Sequence, residues 1–379
     1  MSNILINLSV EKTIDSYDGG KEYSFVVIRK IINENKDSKI IILKTVKTSC
    51  IDGTDIALLI NKYENIEYLI NLEPTSKYLK HLIESNQISV IYDPEAYNSK
   101  HIYNLDVRKV ITIHGLRNYE VVSDFYEFYF TNTIKFVLKN IFIKFYKKRY
   151  LKKFINPLAK LKENDTIVVV SNHTKYTLLS LLPVLKARVL VFYSPTTKNN
   201  NRNLTIPTKD FFLIISADRW IKNSIRTLNA LKYLYSQKLI TIPTIVVGEN
   251  RIVSTFKSEN IKVLSNISDD RLDELYTKCF CLIYTSLSEG FGYPPIEVMK
   301  YGKPSLLSAV TSIPEVTGGQ FIYTNPYSQI EIIARIHEAS IEYSNHEKWS
   351  AICLNQHKKI VKKQSDDLKN LIKLINYEK

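Results

Sequence analysis

Two α/β domains, each built on a doubly wound parallel sheet, are what this sequence predicts. Three observations lead there. A chain of 379 residues is too long for one ordinary hydrophobic core and fits two domains of typical size. Short apolar, β-branched runs alternate with helical patterns through both halves, as parallel strands joined by crossover helices do. A polar run at 199–203, following Ser194 and Pro195, breaks the alternation near the middle, where a linker belongs. With 45% hydrophobic residues, both cores can be filled.

In the first half, residues 4–8 read as the opening strand, Asp18-Gly19-Gly20 as a loop and 24–32 as the first helix. Strands follow at 40–43, 89–92 and 110–113 with helices between them, then at 166–170 and 188–192. The second pattern opens at 211–215 and runs through a helix at 226–235 and strands at 244–247 and 261–264. A helix at 269–275 carries Asp269 and Asp270 in its first turn, the favoured end of the dipole. Strands at 281–284, 303–307 and 321–323 complete the pattern, and helices run from Ser328 to near the end. The expected domains are 1–196 and 197–360, with 361–379 a helix returning to the first. No internal repeat of fixed period occurs.

The net charge of +14 is uneven. Residues 135–162 carry ten lysines and arginines, and no acidic residue stands between Glu127 and Glu163. Phe136, Phe142, Phe145, Tyr146 and Phe154 are interleaved with them. Lys144, Lys148 and Lys152 line up at helical spacing, while the other lysines fall on other faces. Docking on an anionic membrane surface and a merely solvated helix fit this stretch equally well, and nucleic acid fits it less. Cys50, Cys279, Cys281 and Cys353 have no framework spacing, so packing is their expected role. No signal peptide is read at the start, and no apolar run nears the ~18–20 residues that cross a bilayer. The expected location is the cytoplasm, peripheral at the inner membrane face if the basic stretch docks.

The chemistry concentrates at Ser286-Leu-Ser-Glu289-Gly290-Phe291-Gly292-Tyr-Pro-Pro-Ile-Glu297. A buried strand precedes it. Pro294 and Pro295 pre-set a helix start after it, and Gly302 caps that helix. Gly290 and Gly292 let backbone approach a ligand, and the helix start offers N–H groups to a phosphate. Glu289 and Glu297 would repel phosphate; they suit hydroxyls, which sugars and ribose offer in pairs. A charge-assisted hydrogen bond of this kind contributes about 1.5–3 kcal/mol.

Glu289 and Glu297, seven residues apart across Gly-Phe-Gly-Tyr-Pro-Pro-Ile, resemble the Glu-x7-Glu signature of retaining GT-B glycosyltransferases, and more narrowly those of group 1 (glycosyltransferase family 4). The resemblance continues through Lys303-Pro-Ser and Ser312-Ile-Pro-Glu315-Val-Thr-Gly318. Tyr293 stands where that family most often has Leu, and Val298 where it often has Ala. It implies a GT-B fold, two Rossmann-like domains facing each other across a cleft, with acceptor bound by the first and nucleotide sugar by the second.

Arg219 and Lys222 follow the first strand of the second domain at helical spacing, at a strand end where ligands are met. Arg grips phosphate through a bidentate fork and Lys adds a point charge. The resemblance assigns such a pair to the donor diphosphate, although the Arg-to-Lys gap here is shorter than usual. His114 ends a strand and is followed by Gly115, where the family commonly has His-Asp; the resemblance places this His near the donor sugar. Gly19-Gly20 matches the glycine loop that approaches the diphosphate from the opposite domain, and it does not fit a P-loop. His173 reads as a cap or interdomain contact. No Asp-x-Asp stands near a strand end to hold a divalent ion, so neither metal nor cofactor is expected.

The resemblance implies a retaining glycosyltransferase, a hexosyltransferase that moves a sugar from a nucleotide-diphosphate sugar to a lipid-linked or cell-surface polysaccharide precursor, and the missing Asp-x-Asp fits a metal-independent one. Glu297 would bind ribose and Glu289 the sugar. Arg219 and Lys222 would stabilise the leaving diphosphate, with Phe291 and Gly292 adding backbone donors. A nucleotide-sugar 2-epimerase on the same fold, a glycoside hydrolase using the two carboxylates, and a catalytically silent sugar- or nucleotide-binding subunit stay open as alternatives.

Overall fold

The apolar runs pair in parallel throughout, which only crossover connections allow, and they sort into two sheets. The computed structural model describes residues 3–8, 19–44, 55–71, 74–96, 101–121, 124–131, 133–196, 211–265 and 267–376. Asp18, Cys50 and the expected linker at 199–203 lie outside them.

The first sheet contains β1 (Asn3–Leu8), β2 (Ile40–Lys44), β3 (Ile66–Ile70), β4 (Ile88–Asp93), β5 (Arg108–Ile113), β6 (Thr166–Val169) and β7 (Arg188–Val191), in the order β3-β2-β1-β4-β5-β6-β7. The second contains β8 (Phe212–Ile214), β9 (Thr244–Val247), β10 (Ile261–Leu264), β11 (Cys281–Tyr284), β12 (Ser305–Ser308) and β13 (Ile322–Thr324), in the order β10-β9-β8-β11-β12-β13. In each, the chain winds outward from its first strand and then restarts on that strand's other side. The switch points are therefore β1/β4 and β8/β11, beside whose carboxyl ends doubly wound sheets bind ligands.

Helices cover both faces, so the inner strands are buried on both sides and read as unbroken apolar runs. Leu5, Ile41, Ile91, Ile111 and Ile167 are fully buried in one core cluster. Strand β3 was not expected. It is an edge strand of half-buried residues ending on exposed Ile70, and its Glu67 interrupts the apolar pattern. The first helix, Gly19–Glu34, starts earlier than expected, so Gly19 and Gly20 are its first two residues rather than a loop. Neither is left-handed, and the Ser24 hydroxyl donates to the Gly20 carbonyl at 2.8 Å as the first turn closes.

The chain divides into two compact units: Met1–Tyr119, Lys147–Asn200 and Val361–Lys379 in the first, Glu120–Tyr146 and Asn201–Ile360 in the second. Residues 120–146, within the range expected for the first domain, group with the second unit. The last helix, His346–Asn376, contributes its residues from 361 onward to the first. There Asp367 Oδ2 accepts from the Tyr193 amide at 2.7 Å, and Gln364 Nε2 donates to the Ser194 carbonyl at 2.6 Å. Arg108 Nη2 donates to the carbonyls of Leu374 and Ile375 at 2.9 and 2.8 Å, a cation on the negative end of the helix. Ile375 is fully buried. Truncation to Ala should therefore lower stability by about 2–5 kcal/mol, read as a fall in the denaturant midpoint. An unchanged midpoint would show that the helix end is not packed.

Candidate functional site

Two turns leave the carboxyl ends of the switch-point strands β8 and β11, which pair directly through Cys281–Phe212 and Leu282–Leu213. The first passes through Ser216, a 3-10 turn at Trp220–Lys222, and Asn223. The second runs from Thr285 to Gly292 and enters the helix Tyr293–Met299. The Leu287 amide donates to the Ile221 carbonyl at 2.8 Å, and Ser286 Oγ lies 3.3 Å from the same oxygen, so the turns are stitched together.

The stitch brings Lys222 onto Glu289. Lys222 Nζ donates to Glu289 Oε1 and to the Tyr284 hydroxyl, both at 2.7 Å, and lies over the Tyr284 ring 4.7 Å from its centre. Ser286 Oγ donates to the same carboxylate oxygen at 2.5 Å. The lysine is 9% exposed and the glutamate 8%. Neither charge could stand there alone: removing one member of such a buried pair costs about 3–5 kcal/mol.

The glycine turn is fixed by its neighbours. Ser312 Oγ donates to the carbonyls of Glu289 and Phe291, at 2.9 and 3.2 Å, and the Glu289 amide donates to Thr311 Oγ1 at 3.0 Å. Thr311 is left-handed (φ +53°), as are Ser216 (+51°) and Asn223 (+57°). These are three of the five non-glycine residues with positive φ among those described, and all border the site. Such strain persists where the surroundings enforce it, commonly at functional sites.

Glu297, half-buried in the helix that follows, accepts from the Tyr276 hydroxyl at 3.0 Å. Gly292 is left-handed (φ +92°). One expectation needs correction: the helix start is a poorer phosphate cradle than expected, because Pro294 and Pro295 fill its first turn and carry no N–H.

Arg219 and Lys222 divide: Lys222 is buried on Glu289, while Arg219 is exposed before the 3-10 turn. His114, Gly19 and Gly20 belong to the first unit. His114 Nε2 lies 2.8 Å from the Pro94 carbonyl, and its ring meets Tyr23 edge-on at 4.7 Å. Ser171, rather than His173, caps the helix Asn172–Leu181. Cys279 and Cys281 are buried in and beside β11, as expected of packing residues, and burial pushes the Cys279 thiol up to about 12. Among the described residues no group of three or more His, Cys, Asp or Glu could hold a metal ion.

Sequence reasoning missed the supporting residues Tyr276, Tyr284, Ser286 and Thr311, whose partners are fixed only by folding. It also missed Arg226, buried between the rings of Tyr126 (4.5 Å) and Tyr327 (5.6 Å) and bonded to Asp124 Oδ2 at 2.6 Å and Asn223 Oδ1 at 2.9 Å. Gly248 is a third omission. It is left-handed (φ +103°), and a Cβ there would fall 2.5 Å from Asp218 Oδ1 and 2.6 Å from the Ala217 nitrogen.

Gly248→Ala should therefore displace the turn after β8 and destabilise the protein by about 1–3 kcal/mol; an unaltered thermal transition would contradict this. Lys222→Met and Glu289→Met should each cost about 3–5 kcal/mol, and the double variant much less than their sum. Strictly additive losses in denaturant unfolding would mean that the two side chains do not interact.

Residues 196–352 match the family described as Glycosyl transferases group 1. The O-antigen chain mannosyltransferase RfbU of Salmonella typhimurium is 26% identical over 250 residues, covering 62% of this chain. The match spans 66% of that relative, just under two thirds of its length. The serotype-specific mannosyltransferase WbdA of Escherichia coli is 25% identical over 211 residues, 50% of this chain and 26% of the relative. Among solved structures, a glycosyltransferase from Rickettsia africae ESF-5 superposes with a TM-score of 0.65 at 15% identity, covering 100% of this chain and 99% of the other. Anabaena HepE, in complex with UDP and glucose, superposes with a TM-score of 0.62 at 15% identity, covering 98% and 99%. At these identities the structural likeness shows the fold, which is GT-B.

Proposed function

We propose that this chain, a group 1 glycosyltransferase of GT-B fold, transfers a hexosyl group from a nucleotide-diphosphate sugar to a glycan acceptor of polysaccharide assembly. The observation that carries this reading is the buried Lys222–Glu289 pair at the β8/β11 switch point, with Glu297 held by Tyr276 on the next helix. Glu289 and Glu297 can accept hydrogen bonds from donor hydroxyls, the first from the sugar and the second from ribose. Lys222 and the exposed Arg219 supply positive charge where the diphosphate leaves, electrostatic work that elsewhere falls to a metal ion. The bond from the anomeric carbon to the diphosphate oxygen breaks, an acceptor hydroxyl oxygen bonds to that carbon in its place, and the hydroxyl's proton passes to the departing diphosphate.

RfbU and WbdA are named mannosyltransferases, which supports mannose as the transferred sugar and an O-antigen-type or lipid-linked precursor as acceptor. The UDP and glucose bound to HepE support a nucleotide-sugar donor. Retention of the anomeric configuration, metal independence and the parts given to His114, Gly19 and Gly20 rest on the resemblance to group 1 enzymes.

A thermal-shift screen against GDP-, UDP-, dTDP- and ADP-sugars should find one class that raises the melting temperature. Glu297→Gln should then weaken that donor about 10- to 100-fold, the loss of one or two charge-assisted hydrogen bonds, with the melting temperature of the free protein kept. Wild-type donor affinity in this variant would remove Glu297 from the site. Proton NMR of the product linkage should show the donor's anomeric configuration; an inverted product would end the retaining mechanism.

A further inference from the structure

The helices Thr133–Ile141 and Ile143–Tyr150 follow one another with only the turn residue Phe142 between them, and hydrogen bonds cross the joint: the Phe142 amide donates to the Leu138 carbonyl at 3.0 Å and the Tyr146 amide to the Phe142 carbonyl at 2.9 Å. Ile134, Val137, Leu138, Ile141, Phe142 and Phe145 fall at helical spacing along one side. They are 68%, 45%, 45%, 66%, 51% and 59% exposed. A surface helix normally turns such a stripe inward.

Here the opposite side is already engaged. Phe136 meets Phe128 edge-on at 5.8 Å. Lys139 pairs with Glu127 at 2.5 Å and lies over the Trp220 ring at 5.1 Å. Turning the stripe inward would break these contacts, so water faces a contiguous apolar strip, the mark of an interaction surface.

Charge decides the occupant. Lys135 and Lys144 are exposed along the stripe, and no acidic residue stands between Glu127 and Glu163. Apolar residues flanked by cations, without counter-charge, suit an anionic lipid surface, where the side chains enter the acyl boundary and the lysines meet headgroups. Among the described residues no helix is long and apolar enough to cross a membrane, so the helix would lie on the surface. We propose that the outward face of residues 133–146 docks the protein on an anionic lipid bilayer. None of the roles given to Lys222, Glu289 or Glu297 enters this argument.

The test is sedimentation of the full chain with vesicles of phosphatidylcholine alone and of phosphatidylcholine mixed with phosphatidylglycerol. Binding is expected to the mixed vesicles, falling as salt rises. The double variant I141E/F145E should lower partitioning by roughly tenfold or more while nucleotide-sugar affinity stays at the wild-type value. That unchanged affinity separates a docking defect from failure of the donor site. K135E/K144E, which alters exposed side chains only, should lose the preference for the anionic vesicles, and it decides the matter if the apolar variant does not fold. Equal binding by wild type and K135E/K144E would overturn the proposal. So would no binding to either vesicle, or a concentration-dependent dimer that forms without lipid and disappears in I141E/F145E, which would assign the stripe to a second copy.

Discussion

A lysine and a glutamate that are both nearly inaccessible to water constrain one another, and the geometry of the second unit follows from their pairing. Lys222 and Glu289 sit on turns 67 residues apart in sequence, yet they meet at 2.7 Å because β8 and β11 are sheet neighbours. Desolvating either charge alone is costly. The fold therefore commits both turns to one arrangement and fixes it with Ser286, Tyr284 and the Leu287–Ile221 backbone bond. Left-handed Ser216 and Asn223 on the first turn, and left-handed Thr311 bonded to the Glu289 amide of the second, show that the backbone around the pair is held away from its relaxed conformation. A preorganised site stores strain in this way, and its polar groups need little rearrangement when a ligand arrives.

Much of the fold could be read from the sequence because parallel strands covered on both faces are unbroken apolar runs. That held for β1, β2, β4, β5, β6, β8, β11 and β12, while β7, β9, β10 and β13, anticipated as well, are only partly buried. Strand β3 escaped because an edge strand is half wet, and Glu67 breaks its pattern. The early start of the first helix escaped because two glycines look like a loop wherever their φ angles are unknown. At the site, the sequence singled out Glu289, Glu297 and Lys222, and the fold brings Lys222 onto Glu289. Tyr276, Tyr284, Thr311 and Gly248 were not, since each is defined by a contact with a distant element: Gly248 looks unremarkable until Asp218 is seen to fill the space of its absent side chain.

The basic segment shows how a one-sided reading of charge can mislead. Sorted by its lysines, 135–162 has no clean face. Sorted by its apolar residues, 134–145 has one, and folding turns it to water because Lys139, Phe136 and Glu127 hold the other side. The same segment reaches the turn that carries Lys222 through Lys139, over the Trp220 ring at 5.1 Å, and the preceding Asp124 holds Trp220 Nε1 at 3.4 Å and Arg226 Nη2 at 2.6 Å. The exposed helix and the buried ion pair are thus parts of one packed unit.

The most direct measurement is a crystal structure of the protein with an intact nucleotide-diphosphate sugar bound. A Glu297 carboxylate oxygen is expected within about 2.6–3.2 Å of a ribose hydroxyl, Glu289 against a hydroxyl of the sugar, and Lys222 beside the diphosphate. A donor bound away from the carboxyl ends of β8 and β11, with the Lys222–Glu289 pair untouched, would contradict the assignment.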